Sequence, residues 1–160
     1  MNKQKNKTTP VMKQFWSIKE KHPNSILLFR MGDFYETFEK DAEITSNILG
    51  IALTKRANGA ASSVALAGFP YHSLDQHMYK LLKAGHRVAI CEQIENPKDA
   101  KGIVKRGVVE VVSPGTAISE KFLDSKRNNF LCCVYHAGIN LGFSVLDHST
   151  GDFYTNEISF

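Results

Sequence analysis

The spacing of apolar positions changes several times along the chain, and each change marks an element. Behind Thr9 and Pro10, a cap and first-turn pair, Met12, Phe15 and Trp16 recur at helical spacing until "KHP" at Lys21–Pro23 stops the helix. "SILLFRM", residues 25–31, is a short apolar run and reads as a buried strand. From Tyr35 the apolar and small positions fall at 35, 38, 42, 45 and 49, the period of a helix closed by Gly50. At about 100° per residue, Tyr35 and Phe38 lie in that stripe, Phe34 lies on its flank and Glu36 on nearly the opposite side. Asp33 is then placed as the N-cap, and Glu36, three residues on, can complete a capping box.

Further along, "IALTKR" and "SVALAGFP" read as strands on either side of the loop-like "ANGAAS". Ser73 and Gln76 form a second capping-box pattern, followed by a helix with Leu74, Met78, Leu81 and Leu82 on its apolar face and Gly85 at its end. "RVAICEQI" is another strand, "NPKDAKGIVKRG" a polar, basic loop, and "VVEVVSPGT" a strand closing on a turn. The order α, β, α, β, β, α, β, β predicts an α/β fold, a mixed β-sheet flanked by helices.

After "EKFLDSKRNN" the pattern turns to strand after strand: "FLCCVYHAG", "NLGFSVLDHST" and "GDFYTNEISF" read as a β-meander opening a second domain. Three strands bury too little surface to stand alone, and the pattern breaks off at Phe160, so the chain is expected to be the N-terminal piece of a longer protein. The expected organisation is a disordered basic N-terminus at 1–8, a first domain at 9–126 and the incomplete second domain at 127–160.

Composition narrows the class. With 160 residues, 42% hydrophobic and 22% charged, the chain is long enough for one core or for one domain and part of a second. No apolar run approaches the ~20 residues of a bilayer span, and "MNKQKNKTTP" lacks the apolar stretch of a signal peptide, so a cytoplasmic protein is expected. The net charge of +4 is uneven: residues 1–126 hold 19 Lys and Arg against 13 Asp and Glu, whereas 127–160 hold one Arg against three acids. A polyanionic partner for the first part is compatible with that surplus, as is an ordinarily solvated basic domain. Cys91, Cys132 and Cys133 have neither CxxC spacing nor an even count, and are expected to be buried, reduced thiols.

Six stretches taken in order carry a resemblance: "TPVMKQFW" (9–16), "LLFRMGDFYETF" (27–38), "LTKR" (53–56), "AGFPYH" (67–72), "VAICEQ" (88–93) and "VSPGT" (112–116). Together they resemble the N-terminal region of the MutS family of bacterial DNA mismatch-repair recognition proteins, and the tail resembles the start of that family's RNase H-like connector domain. The resemblance implies a Phe-x-Glu reader of mispaired bases at Phe34 and Glu36. In the family the ring enters from the minor groove and stacks on a mismatched base while the duplex is kinked, and the carboxylate hydrogen-bonds that base. The residue types suit the task. Unstacking is least costly where pairing is already poor, and a ring stacks on any base. A carboxylate is repelled by phosphate and has no free base edge to bond at an intact pair, so its value is discrimination.

Around this pair, Lys55 and Arg56 are candidates to grip phosphates, with a solvated strand end as the alternative. Arg30, Tyr71 and His72 are candidates to position the backbone. Met31 and Gly68, Phe69, Pro70 and Tyr71 are candidates to shape the groove-facing surface, or simply to pack. Glu36 has the capping box as its competing role. The resemblance also implies mismatched double-stranded DNA as partner, a homodimer through downstream segments, MutL-type repair factors, no membrane, and a nucleoid-associated protein. ATP and Mg²⁺ are expected only downstream, since no G-x-x-x-x-G-K-[ST] stretch occurs here. No cofactor, metal or catalytic residue is expected in this chain. Two rivals remain: a metal-dependent nuclease using Asp33, Glu36 and Glu92, and a protein-interaction domain that docks a partner through "FYE".

Overall fold

In the computed structural model, which describes residues 8–59, 61–96, 100, 102–114 and 128–159, Thr9 caps the first helix, α1 (Pro10–Lys19). Its hydroxyl accepts the Met12 N–H, Pro10 occupies the first turn, and the Asn58 carboxamide in turn accepts from the Thr9 N–H at 3.0 Å. Residues 1–7, for which disorder is expected, and Gly115 and Thr116 of the expected turn lie outside the described residues.

The strands that follow are β1 (Ser25–Met31), β2 (Phe34–Phe38), β3 (Thr54–Asn58), β4 (Ala61–Pro70), β5 (Arg87–Gln93) and β6 (Arg106–Val112). They form one sheet in the order β3-β4-β2-β1-β5-β6, in which β1 and β5 run parallel and every other pairing is antiparallel. Helices α2 (Glu39–Leu49) and α3 (Leu74–Lys83) complete the unit. This is the mixed, helix-flanked sheet expected from the order of elements.

Register assigns each side chain to a face, because directly opposed residues in a sheet share one. Leu27, Phe29, Phe38, Ala89 and Cys91 point to the side covered by Met12 and Phe15 of α1. There Phe15 packs edge-on against Phe29 and Phe38, with ring centres 5.6 and 4.9 Å apart. Each such pair contributes about 0.5–1.5 kcal/mol beyond its buried area. The opposite side carries Tyr35, Thr37, Ala67 and Phe69 and is covered by α3, whose His77 ring lies 4.4 Å from that of Phe69, and by α2 packed beside it. An ion pair ties the helices to the sheet: Lys19 at the end of α1 meets Asp41 in α2 at 2.8 Å, and Asp41 also accepts the Leu27 N–H.

Several sequence expectations fail here. The expected helix from Tyr35 is instead strand β2 as far as Phe38, and α2 begins only at Glu39. The change of direction is concentrated at Glu39, a non-glycine residue at φ +50°, which takes the chain from strand to helix without a loop. No Asp33–Glu36 capping box forms, because neither residue begins a helix. The second capping box is absent as well. A short 3-10 turn, Tyr71–Ser73, precedes α3, and the Ser73 hydroxyl donates back to the Pro70 carbonyl instead of capping. Strand β3 also starts at Thr54, later than "IALTKR" predicts, and runs on to Asn58.

The strands after Val112 belong to a second compact unit. Its strands β7 (Phe130–Ala137), β8 (Asn140–Asp147) and β9 (Phe153–Ser159) make the expected antiparallel meander. Buried Asp147 anchors it by accepting the Asn129 and Ser149 N–H groups and the Asn128 amide, and these bonds, Asn129 foremost, hold its carboxyl below the usual value. Among the described residues of this unit none covers either face of β7, so Cys132 and Cys133 are exposed, contrary to the expectation of buried thiols. Cys91 is buried in the α1-side core, and burial pushes its thiol up to about 12. Under native conditions a thiol reagent should therefore modify Cys132 and Cys133 quickly and Cys91 only on unfolding. Rapid reaction of all three would contradict this packing. Among the described residues no helix is long and apolar enough to cross a membrane.

Candidate nucleic-acid interface

β1 and β2 are joined by two residues, Gly32 and Asp33, between the opposed pair Met31 and Phe34. Gly32 takes φ +59° and Asp33 does not share the positive φ, the arrangement of a two-residue hairpin with glycine first. The tip is fastened from behind. The Tyr71 N–H donates to the Asp33 carbonyl at 2.8 Å, and Arg30 Nε donates to the Gly32 carbonyl.

On this hairpin the period of two replaces the period of 3.6, and the consequence is geometric. Phe34 and Glu36 share one face of the sheet, rather than lying on the flank and far side of a helix. Phe34 stands at the end of the strand with 46% of its surface exposed, while Tyr35, on the other face, is only 2% exposed. Met31, opposite Phe34, joins the same face and packs against the α1-side core. Gly68 and Pro70 of β4 lie opposite Glu36 and Phe34. Gly68 marks a close approach: a Cβ there would lie 3.0 Å from the Tyr35 carbonyl oxygen and 3.5 Å from Glu36 Cγ, so a side chain would press on β2.

Glu36 is half-buried and its carboxylate accepts from Arg56 Nη1 at 2.7 Å. Burial pushes its carboxyl above the ordinary value, against the pull of the Arg56 and Arg106 guanidinium groups. Arg106 is itself held by the Arg30 carbonyl at 2.6 Å and by Gln14 at 3.1 Å. Lys55, adjacent to Arg56 on β3, falls on the opposite face and is exposed.

The remaining candidates lie behind the hairpin. The Tyr35 hydroxyl donates to Glu92, and burial, with Glu92 adding to it, pushes that hydroxyl up to about 12. Arg30 sits 3.7 Å from Glu92 and 3.9 Å from the centre of the Tyr71 ring. Phe69 is buried against Tyr35 and His77. Tyr71, 44% exposed, and the exposed His72 sit on the 3-10 turn at the same end of the sheet as Phe34. The structure therefore gathers Phe34, Glu36, Met31, Arg56, Gly68 and Pro70 on one side, and Arg30, Phe69, Tyr71 and His72 on or behind the other. Sequence reading missed the Tyr35–Glu92–Arg30 network, since its members are up to 62 positions apart and only the register of β1 with β2 and β5 brings them together. Among the described residues no three His, Cys, Asp or Glu side chains are placed to hold a metal ion.

The profile of MutS domain I matches residues 9–121. The chain is 56% identical over 152 residues to the DNA mismatch repair protein MutS of Phocaeicola vulgatus, covering 95% of this chain and 18% of that protein. It is 55% identical over 149 residues to the MutS protein of Porphyromonas gingivalis, covering 93% of this chain and 17% of that protein. The Flavobacterium johnsoniae protein of the same name gives 57% over 149 residues, with the same coverage. The chain thus spans less than a fifth of the length of these curated relatives. With the domain I profile covering more than half of its residues, the chain belongs to the MutS family.

Proposed function

We propose that residues 9–126 are the mismatch-reading domain of a DNA mismatch-repair protein, in which Phe34 is an aromatic wedge and Glu36 hydrogen-bonds the displaced base. The observation that carries this reading is the placement of an exposed ring at a hairpin tip with a carboxylate two residues on and on the same face. An aromatic residue of this size is normally buried, and here the strand places Tyr35 in the core and leaves Phe34 out. A rigid two-residue turn fixed by Tyr71 is a suitable mount for a side chain that must press between bases.

Residues 127–160 would begin an RNase H-like connector domain. ATP and Mg²⁺ binding, dimerisation and contact with MutL-type factors would belong to other segments of the full-length protein, and a cytoplasmic, nucleoid-associated location fits a protein with bacterial relatives of this kind. No catalytic role is proposed for this chain. The nuclease alternative loses its support, because Glu36 is paired with Arg56 on one face and Glu92 is bonded to Tyr35 on the other. Two-metal chemistry needs carboxylates that converge. Fluorescence anisotropy with a G·T duplex and its matched control tests the proposal: the full-length protein should bind the G·T duplex more tightly. Equal affinity for both, or Mg²⁺-dependent cleavage of either, would reject it.

A further inference from the structure

Arg56 and Glu36 sit on strands that are not neighbours, since β4 lies between β3 and β2. Arg56 reaches across it to place Nη1 2.7 Å from Glu36 Oε2. The carboxylate has room to lie there because the β4 residue opposite Glu36 is Gly68, which presents no side chain. Lys55 faces the other side, so of the two cations in "LTKR" Arg56 alone shares the face of Phe34 and Glu36.

We propose that Arg56 is a specificity-setting counter-ion for Glu36: it holds the carboxylate in the free domain and exchanges it for a backbone phosphate when duplex docks, releasing Glu36 toward the base at the wedge. This rests on the wedge reading of Phe34 given above. A bare carboxylate would meet the polyanion with repulsion, and the guanidinium cancels that charge during approach. The same guanidinium donates two parallel N–H···O bonds to a phosphate as readily as to a carboxylate, so the exchange leaves Arg56 satisfied. Glu36 is not satisfied by it. At an intact pair the base edges are already bonded and the released carboxylate finds no donor, whereas a mispaired base offers one. Opening the ion pair is therefore a cost met at every site and recovered only at a mismatch. The buried setting of Glu36 deepens that difference, since a half-buried carboxylate without a partner is costlier than an exposed one.

Two measurements test this, and the first needs no DNA. In the 160-residue chain, ¹³C NMR should show the Glu36 carboxyl titrating at higher pH in Arg56→Met than in the wild type, with Arg56→Lys in between. An unchanged midpoint would overturn the proposal. The second is a double-mutant cycle on the full-length protein with matched duplex. Glu36→Gln frees Arg56 in advance, so Arg56→Met should weaken binding roughly two- to five-fold more in the Glu36→Gln background than in the wild type, the scale of a partly exposed ion pair. Strictly additive losses would mean that Arg56 grips phosphate independently of Glu36, and would overturn the exchange. Matched duplex makes the coupling independent of mismatch preference. A wild-type protein without that preference would sink the wedge reading, while the coupling would still decide the exchange. Thermal melts of the variants identify any loss caused by unfolding.

Discussion

Phe34→Ala in the full-length protein is expected to erase the preference for mismatched over matched duplex while leaving the melting temperature nearly unchanged. Loss of one base–aromatic stack costs on the order of 1–3 kcal/mol, roughly five- to 150-fold in affinity, and with it goes the lever that would hold a kink at the defect. The fold has little to lose, because the ring is 46% exposed at the end of β2. Surface substitutions of this kind stay within about 0.5 kcal/mol. Paired-duplex anisotropy and a calorimetric melt on one preparation check both halves. A variant that melts far lower yet still prefers the mismatch would turn Phe34 into a packing residue and remove the wedge.

Tyr35→Ala, one position along, is expected to do the reverse. Its ring is 2% exposed and packs 6.0 Å from Phe69, and its hydroxyl donates to Glu92. Truncating a buried aromatic costs about 3–5 kcal/mol, and here Glu92 also loses its donor while Arg30 loses the ring 5.5 Å from its guanidinium. The melting temperature of this unit should fall by many degrees, and mismatch preference should weaken only as far as the protein unfolds. Tyr35→Phe, which keeps the ring and removes the hydroxyl, should recover most of the stability. A Tyr35→Ala protein that melts like the wild type would contradict the assignment of Tyr35 to the core.

The contrast between two adjacent rings shows what was legible in the sequence. "SILLFRM" gives β1 with its full range, and the Thr9-Pro10 cap gives the start of α1, because an unbroken apolar run and a capping residue each have one dominant structural outcome. The stripe at 38, 42, 45 and 49 is real, but it belongs to Phe38, at the end of β2, and to α2. Tyr35 fits the same period by coincidence, since a buried strand residue and a helical one three positions apart both read as apolar. The clue to the hairpin was local: a glycine-first, two-residue break between a β-prone run and the aromatic- and Thr-rich "FYETF". The candidate pair at Phe34 and Glu36 came from the resemblance, and its shared face from the strand. The Arg56–Glu36 contact was out of reach of sequence alone, because it depends on β4 being inserted between β2 and β3.

Photocrosslinking from position 34 tests the central claim most directly. With p-benzoylphenylalanine in place of Phe34 in the full-length protein, bound to a duplex with one G·T mismatch, crosslinks should concentrate at the mismatched pair and move with it when the mismatch is shifted along the duplex. The same probe at Tyr71, on the 3-10 turn behind the hairpin, should not label the mismatched bases. Crosslinks from position 34 spread evenly along matched and mismatched duplex, or absent altogether, would contradict the account.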